Sequence, residues 1–287
     1  MNLTFVIQSL VNGILIGAVY SLIAIGLTLI FGVMNIINFA HGALMMLGVF
    51  FTYWLFTLGH VDPYLSILFV VPFMFLIGAT FQRVLIRPIM NAPEHNQLFL
   101  TLGAMLFLQN LAVFLWSPDY RIMRTPYSGV NFYVGEIALS VAHLLAFGMA
   151  IVFSAILYLI LYKTDLGRAI RAASEERTGA LLMGVNIKRI YWVAFGMGTA
   201  CAGVAGTAIT PFFPIYPYVG DIFILTAYVV VVLGGLGSVF GAFLGGLIIG
   251  VADSVGAMLL PGSMKSIMSF VIFILILLFR PKGLFGK

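Results

Sequence analysis

Apolar stretches of about 18 residues or more recur along the whole of this 287-residue chain, and a run of that length is what a helix needs to cross a bilayer. Charge is correspondingly scarce. The chain has 14 Lys and Arg and nine Asp and Glu, 8% of its residues, where a soluble domain carries about 25%. That is too little to coat a globular surface. A membrane β-barrel would show alternating segments of about ten residues, and nothing here alternates in that way. The fold class is therefore all-α, a polytopic membrane protein forming one transmembrane domain over residues 1–287. Cys201, the single cysteine, lies in an apolar span and leaves no intrachain disulfide to form. The first basic residue is Arg83, so no positively charged leader region precedes the first apolar segment. That segment is expected to stay as a membrane helix.

Hydropathy and chain breakers place segments near 5–30, 42–57, 64–82, 98–116, 143–162, 191–210, 222–235, 238–256 and 265–279. Basic residues collect in three stretches between and after them: Arg83 and Arg87; Lys163, Arg168, Arg171, Arg177, Lys188 and Arg189; and Arg280, Lys282 and Lys287 in the tail. Only Arg121, Arg124 and Lys265 lie elsewhere. The positive-inside rule puts the three stretches in the cytoplasm, tail included. An even number of crossings must then separate the loop at 163–190 from the tail. That requires a break at Gly234-Gly235-Leu236-Gly237-Ser238. Eight or nine spans follow, interrupted near 31–41 and 234–241, with the N-terminus outside. This distribution accounts for the net charge of +5, which is not read as nucleic-acid binding. Trp116, Tyr120, Tyr216 and Tyr218 in the outer loops suit a membrane–water interface, and the same loops offer a docking surface.

Within FGVMNIINFAHGALMMLG, residues 31–48, Asn35, Asn38 and His41 recur at three-residue spacing and Gly42 follows. On a helix such residues share one side, about 60° apart. Unpaired polar groups in hydrocarbon are costly, so the row is expected either to bond to neighbouring helices or to face a pathway. A similar small-residue interruption recurs in LGGLGSVFGAFLGGLIIG, residues 233–250. Interrupted segments in two halves of a chain point to a transport route. Gly235, Gly237 and Gly241 have the wrong spacing for a dinucleotide fingerprint. Gly237, Gly241 and Gly245, with Gly246 and Gly250 offset, read instead as close helix packing, with a turn or hinge at Gly234–Ser238.

The loop KTDLGRAIRAASEERTGALLMGVNIKRIYW, residues 163–192, carries capping signals. Thr164 or Asp165 can cap a helix through Arg171, and Ser174 can cap a second beginning with Glu175 and Glu176. Gly184 suits a helix stop and Asn186 a further cap. Leu166, Ile170, Ala180, Leu181 and Met183 are available for burial. A plain connector needs only a few residues, so an ordered knob that docks a partner is expected.

GRAIRAASEERTGALLMGVN, the NFAHG stretch and VVLGGLGSVFGAFLGGLIIG together resemble the permease subunit of Liv-type ABC importers of branched-chain amino acids, over essentially the whole chain. The resemblance implies a homologous second permease, two ATPase subunits and an extracytoplasmic substrate-binding protein in a bacterial inner membrane. It assigns ATPase coupling to residues 164–184, notably Asp165, Gly167, Arg168, Arg171, Glu175, Ala180, Met183 and Gly184. ATP and Mg would act on the partners, since this chain has no Walker A motif and is not read as an enzyme. Pathway or gate candidates are Asn35, Asn38, His41, Gly42, Gly234, Gly235, Gly237, Ser238 and Gly241. Relatives of the family resemble urea or short-amide permeases, and these motifs do not separate the two.

An ion-coupled secondary transporter would need charged groups in its spans, and only Asp253 is a candidate. Near the end of its span, Asp253 could equally reach the outer headgroups. Gln109 and Asn110 are expected to bond to neighbouring helices. His41, His60, His95 and His143 have no metal-ligand spacing, so no metal site is expected.

Overall fold

The computed structural model describes residues 3–259, 264, 267–280 and 282–286. Lys265 and Lys287, assigned above from charge, lie outside the described residues. In chain order the helices are α1 (Leu3–Met34), α2 (Ala40–Gly59), α3 (Ile67–Phe81), α4 (Arg87–Ile89), α5 (Glu94–Trp116), α6 (Val141–Lys163), α7 (Asp165–Glu175), α8 (Arg177–Leu182), α9 (Ile187–Ile209), α10 (Val219–Gly234), α11 (Val239–Leu259) and α12 (Ile267–Phe279). A two-stranded antiparallel hairpin, β1 (Asn131–Val134) and β2 (Ile137–Ser140), lies between α5 and α6. Among the described residues seven helices are long and apolar enough to cross a membrane, and α10 and α12 are shorter apolar helices. This is the all-α polytopic architecture that the apolar runs require.

α3 joins α4 through a π turn, Gln82–Ile86. Pro88 has no N–H for the carbonyl four residues back, and its ring would strike that carbonyl, so the helix widens for one turn before it ends. α1 and α9 form the buried centre, and α5 lies at the periphery with most of its surface uncovered.

Glycines set how closely the helices approach. Gly241 and Gly245 face α10, whereas Gly246 and Gly250 face Ser21, Gly17 and Gly13 of α1. The offset in the glycine row thus lets α11 lie close against two helices at once.

These contacts also set the directions. Gly13 meets Val251, Gly17 meets Leu247 and Gly32 meets Gly237, so α1 and α11 are antiparallel. Val70 packs on Gly203 and Gly78 on Thr199, so α3 and α9 are too. One end of the bundle therefore gathers the C-terminus of α1, the end of α6, α7, the α10–α11 turn and the tail around one cavity. Arg87, Met90 and Asn91 meet α8 and the start of α9 around another. All three basic stretches contribute to this end. At the opposite end Thr4 Oγ1 donates to Glu136 Oε2 (2.8 Å), and Gln8 and Ala138 exchange two hydrogen bonds of 2.8 Å, tying the start of α1 to the hairpin. Arg121 sits there over the rings of Tyr53 and Trp54.

Candidate functional site

The first interruption does not continue a helix. α1 ends at Met34, and Asn35 takes φ 53° with its N–H donated to Phe31 O at 2.7 Å. Asn tolerates this left-handed conformation better than most residues. The chain then turns back into the bundle. α2 begins at Ala40, and His41 Nε2 lies 3.3 Å from Ile23 O, about three turns back along α1. Asn35, Asn38 and His41 therefore do not share one helical side. Asn35 is exposed and borders a cavity of about 220 Å³ with Met90, Ser174 and Tyr191, whereas Asn38 and His41 are fully buried.

The buried pair is left unsatisfied. Neither polar atom of the Asn38 side chain has a hydrogen-bond partner among the described residues, and neither does His41 Nδ1. The bond to Ile23 O requires the imidazole proton on Nε2, which leaves Nδ1 as a bare acceptor. Thr28 Oγ1 and Tyr228 Oη are buried and unpartnered as well, and the Tyr228 ring lies 5.2 Å from that of Phe39. Each such group costs about 1–3 kcal/mol. The start of α2 meets the start of α10 here. A Cβ on Gly42 would lie 2.6 Å from Gly220 O, and one on Gly220 would collide with the Gly42 carbonyl. Only two glycines allow these backbones to touch.

The second interruption is closed. Gly235 and Gly237 have φ of 100° and 85° and turn α10 into α11. Gly234 packs against Gly241, and Ser238 Oγ accepts the Gly241 N–H at 3.1 Å as the cap of α11. The tail returns to this point. Leu284 N–H donates to Leu233 O (2.8 Å) and Phe285 N–H to Gly234 O (3.1 Å), satisfying carbonyls at the end of α10. The turn borders a cavity of about 1090 Å³ that α7 also lines through Arg168, Arg171 and Glu175.

The loop after α6 is ordered, as its caps require. Thr164 Oγ1 accepts from Gly167 N–H (3.1 Å), and α7 extends past Arg171 to Glu175. Gly167 is buried against the last carbonyls of α6. Asp165 pairs with Arg168, and Arg171 lies 4.6 Å from the centre of the Tyr162 ring. Ser174 is not a cap. Its hydroxyl donates to Gly32 O on α1, and Glu176 caps α8 instead, accepting from Thr178 N–H at 3.0 Å. Gly184, with φ 82°, closes α8, and Asn186 caps α9. Ile170 and Ala180 are buried as expected, but Leu181 and Met183 are not: they are 59% and 85% exposed, and Leu182 between them is 81% exposed. The knob ends in an uncovered apolar tip.

Residues 9–277 match the family model described as the permease component of branched-chain amino acid transport systems. The chain belongs to that family. The permease is 33% identical to the high-affinity branched-chain amino acid transport system permease protein BraD of Pseudomonas aeruginosa, covering 98% of this chain and 96% of BraD. It is 32% identical to the corresponding LivH of Escherichia coli (99% and 96%). It is 29% identical to a probable LivH of Methanocaldococcus jannaschii (92% and 88%). No solved structure matches it.

Two further polar residues of the permease sit differently from expectation. Asp253 does not reach the end of its span but is buried and accepts a hydrogen bond from Ser269 Oγ. Gln109 bonds across helices as expected, donating to Asp221 Oδ1 at 2.5 Å, whereas Asn110 is exposed and, among the described residues, its side chain bonds only to Leu106 O of its own helix. Asp221 is the residue that sequence reasoning missed. It follows Tyr216 and Tyr218, assigned above to an outer loop, yet it lies in the first turn of α10. The signal was length: an apolar run over 222–235 is shorter than the roughly 20 residues a crossing needs, so its flank must begin below the surface. Among the described residues no three His, Cys, Asp or Glu come together as a metal site.

Proposed function

We propose that the permease forms one wall of the translocation pathway of an ATP-driven importer for branched-chain or other hydrophobic amino acids. A homologous second permease supplies the other wall. Two ATPase subunits, holding ATP and Mg, dock at the basic end, and an extracytoplasmic binding protein delivers substrate at the opposite end. The basic end is cytoplasmic in a bacterial inner membrane, tail included, which follows from the positive-inside rule. The observation that carries this reading is the apolar tip Leu181–Met183, uncovered on a loop whose helices are individually capped. A connector has no use for it; a subunit interface does. Asp165, Gly167, Arg168, Arg171, Glu175, Ala180, Met183 and Gly184 are assigned with the tip to ATPase coupling. Because Ser174 bonds to Gly32 and Gly32 lies against Gly237, movement of α7 reaches α1 and the α10–α11 turn directly.

Asn38 and His41 are assigned to the pathway, because buried polar groups without partners are what a polar cargo would satisfy. Asn35, exposed at the cavity beside Ser174, and Gly42, which brings α2 against α10, are assigned with them by position. Gly234, Gly235, Gly237, Ser238 and Gly241, which close on themselves, are assigned to the frame. Reconstitution tests the whole. The complete complex in liposomes is expected to accumulate leucine only with ATP and binding protein. Gradient-driven uptake by the permease alone would replace this reading with a secondary transporter. Stimulation by urea or a short amide, and not by leucine, isoleucine or valine, would move it to the amide permeases.

A further inference from the structure

The outward face formed by α5 and α10 carries a carboxylate where an apolar surface would be expected. Asp221 is partly exposed, and its depth is set from two sides. It is tied to Gln109, which lies about 10 Å inside the Trp116 end of α5. Two residues on, Phe223 packs edge-on against Tyr20, near the middle of α1, with ring centres 6.1 Å apart. The carboxylate is therefore well below the level at which an acidic side chain reaches headgroups. Facing lipid there would be costly, so this face looks onto water or protein.

The carboxylate is held ready rather than neutralised. One oxygen accepts from Gln109, itself 2% exposed, and the other has no partner among the described residues. Among those residues the only ion pair that forms joins Arg168 and Asp165, so no cation reaches Asp221. On the same two helices Leu106, one turn from Gln109, and Ile222 and Leu225, next to and one turn from Asp221, present uncovered aliphatic surface, and Asn110 adds one amide. On the inner side Gly220 touches Gly42, beside the unpartnered Asn38 and His41 Nδ1. A fixed anion short of a cation, in an apolar setting with spare hydrogen-bonding groups near by, matches an α-ammonium attached to an aliphatic side chain.

We propose that Asp221, oriented by Gln109, receives the α-ammonium of the transported amino acid at a mid-depth stop in the pathway. This deepens the proposed function and rests on it. Asp221→Asn separates charge from structure, because the asparagine oxygen can still accept from Gln109. In the full reconstituted complex the variant is expected to co-purify with its partners and to lose at least tenfold of ATP-dependent leucine uptake, while Asp221→Glu restores a substantial part. Uptake by Asp221→Asn within twofold of the unmodified complex would overturn the proposal.

A second measurement holds whatever the asparagine variant does. Leu225 is one helical turn from Asp221 and exposed, whereas Cys201 is buried. A Leu225→Cys complex is expected to react with a maleimide at least threefold more slowly when leucine is being transported. A rate unchanged by leucine would equally overturn the proposal. Failure of the underlying reading looks different: the unmodified complex would then import no amino acid at all.

Discussion

The two interruptions of the bundle are alike in sequence and opposite in structure. Both insert small or polar residues into an apolar run. At 235–238 every consequence of the break is absorbed locally: the φ angles fall on glycines, Ser238 caps the next helix, and the tail takes up the carbonyls at the end of α10. At 35–39 the chain folds back inside the bundle, and Asn38 and His41 are buried with polar atoms unpaired. The true counterpart of the α2 start is the α10 start, which touches it through Gly42 and Gly220. A satisfied break holds a fold together. An unsatisfied one leaves hydrogen-bonding capacity unused, at a cost in stability.

The largest effect expected from this comparison comes at the point where α2 and α10 touch. Gly220→Val places a branched side chain where the Gly42 carbonyl already sits, and overpacking of this kind costs up to about 3 kcal/mol. A collapse in yield and a lowered thermal midpoint in detergent are expected. A variant as stable as the original would mean that the two starts do not meet. Next comes the apolar tip. Leu182→Asp with Met183→Asp should weaken ATPase-subunit binding about 30-fold, the effect of losing about 2 kcal/mol of hot-spot contact, while the permease alone keeps its thermal midpoint because both side chains are exposed. Unchanged co-purification would reduce the knob to a connector.

What the sequence made legible was local. Apolar runs found the spans, and Thr164, Gly184 and Asn186 act as the caps their types and positions imply. What it hid was partnered at long range. Ser174 is a reasonable cap until its hydroxyl finds Gly32, 142 residues away. The Asn35–Asn38–His41 spacing assumed a continuous helix, although an asparagine before a non-helical stretch also signals a left-handed stop. Leu181 and Met183 suited burial by type, yet none of the described residues covers them. Asp221 was masked by its tyrosine- and proline-rich neighbours, and only the shortness of the following apolar run pointed below the surface.

Asn38→Leu sharpens the comparison with a smaller effect of unusual sign. Removing an unpartnered buried amide for an apolar group of similar size should stabilise the permease by about 1 kcal/mol, raising its midpoint in detergent. Leucine uptake should fall even so. A lowered midpoint would mean that the amide is satisfied in the membrane, and unchanged uptake would make the residue packing only.

Ser238→Ala is the matching change at the closed break, and the smallest. The side chain is partly exposed, so water can replace the lost cap on the Gly241 N–H, and the cost should fall at the lower end of the range for such caps, about 0.5 kcal/mol. Midpoint should drop slightly and uptake should follow protein amount. The pair of variants therefore moves stability and transport in opposite combinations: Asn38→Leu is more stable and less active, Ser238→Ala less stable with its activity per molecule retained. If Ser238→Ala instead lost uptake out of proportion to its midpoint, the α10–α11 turn would belong to the moving parts, and the division between frame and pathway would have to be redrawn around the cavity it shares with α7.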